Sequence, residues 1–219
     1  MKVVGEPDII SVDVDSDVRR EHRELAAENR KLLDRHGVTA IDVMGSVGSG
    51  KTSFLMQVAR RLKGRRMAAL AGDLTTTIDA QRIIDAGMEC IQVNTGRMCH
   101  LDARIVRKAF DELDLESLDL LFIENVGNLI CPAGFPLGSH RRLVIISVTE
   151  GPYMAVKHPY IFMDADVVLI NKVDLAEAMK VDPASIEGDV RRLKPGVPVV
   201  RTDCSRGAGV DEALAALGL

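Results

Sequence analysis

From Val38 to the C-terminus, short apolar runs alternate with stretches whose apolar residues recur at helical spacing. VTAIDVMG (38–45), RMAALAG (66–72), MECIQVN (88–94), DLLFIEN (119–125), RLVIISVT (142–149), ADVVLIN (165–171) and PVVRT (198–202) read as strands. KTSFLMQVARRLK (51–63), TTIDAQRIIDAG (76–87), CHLDARIVRKAFDEL (99–113), DPASIEGDVRRLK (182–194) and GVDEALAAL (209–217) read as helices. Val/Ile/Leu runs without polar alternation belong to strands buried on both faces, and helices between them supply right-handed parallel crossovers. The expected fold is α/β: a doubly wound, mostly parallel sheet with helices on both faces. Ahead of it, residues 16–36 predict a charged helix with a thin apolar stripe of Val18, Leu25, Leu32 and Leu33. Ser16 or Asp17 would cap that helix and Gly37 would stop it. The chain thus divides into an N-terminal segment and helix packed on the outside (1–37) and one nucleotide-domain-sized unit (38–219).

Composition narrows the function classes. At 47% hydrophobic and 27% charged residues with a net charge of −4, the 219-residue chain is ordinary globular material and carries no global basic field for nucleic acid or anionic lipid. Aromatics make up 3%, which argues against base-stacking platforms. No apolar run approaches the ~18 residues of a membrane helix. The four cysteines (Cys90, Cys99, Cys131, Cys204) are scattered and no apolar leader precedes them. A cytoplasmic protein with reduced thiols is expected.

GSVGSGKT, residues 45–52, fits the phosphate-loop pattern and lies between a strand and a helix, the context that makes the motif specific. Gly45, Ser46, Val47, Gly48, Ser49 and Gly50 would wrap phosphates with backbone N–H groups, aided by the helix N-terminus at Lys51, Thr52 and Ser53. Lys51 should reach the β- and γ-phosphates, and Thr52 should bind Mg²⁺.

LINKVDL, residues 169–175, ends a strand with N-K-x-D and resembles the guanine-reading motif of GTPases. A carboxylate at Asp174 can accept from both the ring N–H and the exocyclic amine of guanine, a pair of donors adenine lacks. Asn171 would contact the other edge of the base or tie this loop to the phosphate loop, and the Lys172 stem can lie over the ring. The usual companion motif is poor: TDCSRGAGV (202–210) has Asp203, Cys204 and Ser205 where Ser, Ala and Lys or Arg are typical. The Cys204 N–H is expected to meet the guanine carbonyl.

Two acidic residues close apolar strands, Asp73 in LAGDLTTT and Glu124 in LLFIENVGN. At strand ends facing a phosphate loop they would hold Mg²⁺ or orient the attacking water; Asp73 could alternatively cap the next helix. Gly127 would sense the γ-phosphate through its N–H. No arginine finger is evident, so GTP hydrolysis to GDP and phosphate is expected to be slow.

Cys99 and His100 are adjacent, a spacing that a regular helix turns about 100° apart. They are expected at a helix start, with Cys131 in the long 125–141 loop as a third soft ligand if neighbouring strands bring the loops together. The pair could also be a nucleophilic dyad or two unrelated residues. Three donors fall short of the four a closed zinc site takes, so a symmetric second chain would complete the shell. Thiolate and imidazole suit Zn²⁺ or Ni²⁺.

Taken in order, GSVGSGKTS, GDLTTTIDAQRI, QVNTGRMCHLDA, LLFIENVGNLICPAGF, SVTEGPYMAVKHPYIF and LINKVDL strongly resemble the HypB family, nickel-incorporation GTPases of [NiFe]-hydrogenase maturation. CHLD and ENVGNLICP are the most specific pieces. The resemblance implies a GTPase that dimerises on nucleotide, with a nickel or zinc site at the dimer interface using Cys99, His100 and Cys131. It implies Mg²⁺ held through Thr52, Asp73 and Glu124, and a HypA-type nickel/zinc protein and the hydrogenase large subunit as partners. The urease-accessory GTPases are similar, but typically carry a Cys-Pro-His triplet. A metal-binding scaffold with a structural nucleotide site, or a small-molecule kinase sharing the phosphate loop, are the readings that compete.

Overall fold

The computed structural model describes residues 15–73, 76–96 and 98–219, with side chains of the first helix described from Arg20. Helix α1 (Asp15–His36) is followed by β1 (Thr39–Gly45), α2 (Lys51–Arg61), β2 (Met67–Asp73), α3 (Ile78–Asp85), β3 (Glu89–Asn94) and α4 (Ala103–Phe110). Next come β4 (Leu120–Glu124), β5 (Arg141–Ser147), the short helices α5 (Met154–Lys157) and α6 (Pro159–Met163), and β6 (Val167–Asn171). Helix α7 (Ala176–Met179), α8 (Pro183–Leu193), β7 (Val199–Arg201) and α9 (Val210–Leu217) complete the chain.

Among the described residues, seven strands form one sheet in the order β3-β2-β4-β1-β5-β6-β7. Every pairing is parallel. Burial on both faces explains the unbroken apolar runs. On β1, Ile41 and Val43 face a core layer with Phe54, Leu55, Val58 and Leu214 from α2 and α9. Ala40 and Met44 face the opposite side, where Ala40 meets Leu33, Val106 and Phe110 and Met44 meets Ile161, Phe162 and Val190. The doubly wound expectation holds.

The crossovers run first to one side of β1 and later to the other, so the strand order switches direction at β1. In parallel α/β sheets the crevice beyond the carboxyl ends at such a switch point is where ligands bind. The loops after β1, β2, β4 and β6 all open there.

Helix α1 packs with Ala26, Asn29 and Leu33 buried. Asn29 was not singled out by the apolar stripe, yet its amide donates to the carbonyls of Ala103 at 2.8 Å and Leu137 at 3.1 Å. Leu25 and Leu32 are only partly buried, and Val18 lies outside the described side chains. The predicted helix over 99–113 is shorter than the pattern suggested. Asp102 caps α4 by accepting from the Ile105 N–H at 2.8 Å, so Cys99 and His100 stand in a bend before the helix rather than in its first turn.

Candidate nucleotide cleft and metal triad

The strand β1 runs into the phosphate loop and α2 resumes at Lys51. Gly50 caps α2 with φ of 107°, a conformation that L side chains avoid, and a Cβ there would run into the Asn171 amide. Lys51 is 7% exposed, and its Nζ donates to the carbonyls of Ser46 at 3.0 Å and Gly45 at 3.3 Å. Burial lowers its pKa, while Glu124 and nearby acids oppose that shift. Thr52 Oγ1 donates to Glu124 Oε1 at 2.8 Å. Burial raises the Glu124 carboxyl to about 7, despite Lys51 and Thr52.

Two buried oxygens here, Ser49 Oγ and Glu124 Oε2, have no hydrogen-bond partner among the described residues. A buried polar atom left unpaired costs on the order of 1–3 kcal/mol, so a charged or polar ligand is what these atoms fit. The donor set is hard oxygen (Thr52 hydroxyl, Glu124 and Asp73 carboxylates), which suits Mg²⁺. The surrounding cleft, about 410 Å³, is lined by Val47, Gly48, Lys51, Thr52, Asp73 and Glu124 among others. Asp73 ends β2 and accepts from the Thr76 hydroxyl. It is not a helix cap: α3 starts at Ile78 behind Thr77. Gly127 presses on the phosphate loop, where a Cβ would stand 2.5 Å from Val47 Cγ2 and 2.9 Å from Val47 N. Asp79 and Arg82 also line the cleft. Sequence reasoning missed both; their only signal was an i,i+3 acid–base pair just inside a helix after Asp73.

At the far side, Asn171 resolves in favour of tying loops together. It is buried, its Nδ2 donates to the Ser49 carbonyl at 2.8 Å, and its Oδ1 accepts from Thr202 Oγ1 at 3.1 Å and Cys204 N–H at 3.0 Å. This corrects the expectation for Cys204: its N–H is spent on Asn171, and its thiol is buried in the core. Lys172 lines the cleft in a left-handed conformation with φ of 59°, and Asp174 is exposed beside it. Asp203 accepts from the N–H groups of Ser205 and Arg206. Burial pushes its carboxyl up, but these bonds and the Ser205 hydroxyl hold it below the ordinary value.

Cys99, His100 and Cys131 come together within one chain, their ligand atoms all within 4.8 Å of one another. The two Sγ atoms are 2.9 Å apart and Cys99 Sγ is 3.8 Å from His100 Nδ1. The loops do not meet because their strands are neighbours: β2 lies between β3 and β4. They meet because Asn125, directly after β4, accepts the Leu101 N–H at 2.9 Å and steers the 99–101 bend inward. Asn125 itself rests on Asp42, whose buried carboxyl accepts from Nδ2 at 3.4 Å and is pushed up to about 6 by burial. The bend frees the adjacent side chains from helix geometry, which removes the spacing objection to a shared ion. His100 stacks on Phe135 with centroids 4.0 Å apart, and His22 of α1 meets Phe135 edge-on at 5.1 Å. Burial, opposed by Asp102, lowers the His100 pKa and favours the neutral imidazole that a metal needs. The Cys131 thiol beside it, then burial, raise the Cys99 thiol. Two sulfurs and one nitrogen form a soft donor set suited to Ni²⁺ or Zn²⁺.

Comparison with known proteins matches the architecture. Residues 39–201 match a family model described as "CobW/HypB/UreG, nucleotide-binding domain". The chain is 45% identical over 204 residues to the "Probable hydrogenase maturation factor HypB" of Methanocaldococcus jannaschii, covering 93% of this chain and 92% of that one. Among solved structures, HypB from Archaeoglobus fulgidus superposes with a TM-score of 0.83 at 36% identity, covering 91% of this chain and 98% of that one. HypB from Helicobacter pylori in complex with nickel gives 0.85 at 35% identity, covering 90% and 93%. No helix among the described residues is long and apolar enough to cross a membrane.

Proposed function

The chain belongs to the CobW/HypB/UreG family of nucleotide-binding domains, and from that premise we propose that it is a GTP-hydrolysing metallochaperone that supports nickel insertion into a [NiFe]-hydrogenase. In this reading 38–219 is the GTPase domain and 1–37 an N-terminal appendage, of which residues 1–14 lie outside the described residues, and the protein works in the cytoplasm. Residues Gly45 to Ser53 bind the phosphates. Lys51, released from the Ser46 and Gly45 carbonyls, neutralises the β- and γ-phosphates. Thr52, Asp73 and Glu124 hold Mg²⁺, which supplies charge neutralisation on the phosphate oxygens. Asp174 selects guanine, Lys172 covers the base, and Asn171 fixes the distance between base loop and phosphate loop. Cys204 keeps a supporting role through its bond to Asn171.

Cys99, His100 and Cys131 bind nickel or zinc as cargo. They offer three donors, so a second chain related by symmetry closes the shell and the protein acts as a nucleotide-promoted homodimer. A HypA-type protein and the hydrogenase large subunit are the exchange partners.

One observation carries the coupling between the two sites. Cys131 follows Gly127 by four residues on the loop that presses on Val47, so a shift of Gly127 at the γ-phosphate drags a metal ligand with it. A coupling of about 1–3 kcal/mol, roughly 5–150-fold in affinity, is the usual size of such linkage. Ni²⁺ and Zn²⁺ affinities measured with GDP and with a non-hydrolysable GTP analogue should differ by a factor in that range. Equal affinities would sink the coupling.

A further inference from the structure

Both cysteines of the metal triad are gripped by one asparagine that the nucleotide chemistry does not use. Asn128 Nδ2 donates to the Cys99 carbonyl at 3.3 Å. Its Oδ1 accepts from the N–H of Ile130 at 2.8 Å and of Cys131 at 3.4 Å. The two backbone donors fix the amide's orientation, because the flipped amide would set its NH₂ against two N–H groups. The backbone of Asn128 is itself held: its N–H donates at 3.1 Å to the carbonyl of Gly45, the first residue of the phosphate loop, in an isolated antiparallel bridge. That same carbonyl accepts from Lys51 Nζ at 3.3 Å.

We propose that Asn128 is, beside Asn125, a positioning residue of the metal triad, and the link that carries displacement of the phosphate loop to both cysteines. The inference rests on the nucleotide-coupled metal-binding reading and gives it a route. Strand pairing cannot supply that route, since β2 separates the strands from which the two cysteine loops depart. A short side chain with one planar amide can. Its backbone follows Gly45, its oxygen holds the turn into Cys131, and its nitrogen holds the carbonyl of Cys99. When Lys51 leaves Gly45 for a phosphate, the carbonyl keeps Asn128 as its partner, and any movement there reaches both sulfurs together. Outer-shell hydrogen bonds of this kind orient metal ligands, and their loss typically costs ~10–100-fold in metal affinity.

The test is a Ni²⁺ titration of the full chain, followed by the thiolate-to-nickel charge-transfer band, without nucleotide, with GDP, and with a non-hydrolysable GTP analogue. Asn128→Ala should weaken Ni²⁺ binding by ~10–100-fold, diminish or shift the band, and erase the difference between nucleotide states while nucleotide affinity is retained. Asn128→Asp keeps the acceptor oxygen for Ile130 and Cys131 but loses the donor to Cys99. It should therefore keep part of the band and still lose the nucleotide dependence. Wild-type affinity, band and nucleotide ratio in Asn128→Ala overturn the proposal; if that variant does not fold, the same result in Asn128→Asp does so. A wild-type protein with no band sensitive to Cys131→Ser overturns the metal reading itself. A wild-type band with equal affinities in both nucleotide states defeats the linking role, whatever the Asn128 variants do.

Discussion

The phosphate loop and the thiol–imidazole triad open at the same edge of the sheet and are built in opposite ways. The first is eight consecutive residues running from the end of β1 into α2, with Lys51 and Thr52 each only 7% exposed although Val47 at its tip lies in the open. Its geometry follows from glycine backbone freedom and helix dipole, both local properties. The triad joins a bend after β3 to a loop after β4, at the surface, with no strand pairing to align them. Its geometry depends on Asn125 and Asn128 reaching across. A contiguous site whose key side chains are buried is set when the fold forms. A discontinuous site near the surface is set by a few side-chain bonds and can change state without the fold changing, which would suit the proposed uptake and release of a metal.

The sharpest way to break that comparison is to remove the central residue of each region. Lys51→Ala should reduce the rate of GTP hydrolysis on the order of 10²–10³-fold, as deletion of a preorganised electrostatic group does. Metal titration of the nucleotide-free protein should be unchanged. Cys131→Ser should lose more metal affinity than the ~10–100-fold expected of an outer-shell partner. Nucleotide binding should persist, and because the triad lies at the surface, stability should stay within about 0.5 kcal/mol. Steady-state hydrolysis, metal titration and denaturant melts decide it. If Lys51→Ala also empties the triad without nucleotide, the two regions are one structural unit.

Asparagines in the two regions sharpen the contrast at smaller scale. Asn171 is 2% exposed and serves Ser49, Thr202 and Cys204 at once. Asn171→Ala strands a buried carbonyl and a buried N–H, which should cost on the order of 1–3 kcal/mol. The urea midpoint should fall with an unchanged slope, and nucleotide affinity should fall with it. Asn128 holds an exposed bend, so its loss should appear in metal affinity rather than in the melt. Comparable destabilisation by both variants would erase the distinction.

The same contrast explains what could be read from the chain alone. The strands, the parallel sheet and the phosphate loop were legible because each is written in adjacent residues: unbroken Val/Ile/Leu runs, or GSVGSGKT between them. Asp73 and Glu124 followed from strand ends. What escaped was set by partners distant in sequence. Asp102 moved the start of α4 past Cys99 and His100, so the adjacency that looked awkward in a helix is harmless in a bend. Cys204 was assigned to the base because Asn171 Oδ1, 33 residues away, could not be seen taking its N–H. Asn125 closed a predicted strand, Asn128 lay in the long loop and Arg82 in a predicted helix, and nothing in the sequence singled them out. The dimensions of the triad came from no periodicity at all.

The smallest expected effect is a pH dependence set by Glu124, which the nucleotide cleft should show and the triad should not share. Burial raises the Glu124 carboxyl from 4.5 to about 7. Between those values the folded protein holds a proton that the unfolded chain has released. The stability this group contributes is therefore complete below pH 4.5 and lost as pH climbs through about 7. A divalent cation needs the ionised carboxylate, so binding of Mg²⁺ with nucleotide must expel that proton. Affinity should rise about tenfold per pH unit below pH 7 and level off above it. Calorimetry at pH 6 in two buffers of different ionisation enthalpy should report up to one proton released per site, and Glu124→Gln should release none. Metal binding at the triad does not use that carboxylate; the neighbouring Cys131 thiol and burial hold the Cys99 thiol above its ordinary value. The pH dependence of metal binding should survive Glu124→Gln intact. If Glu124→Gln flattened the triad's profile as well, the two regions would share a titrating group, and separate construction would no longer describe them.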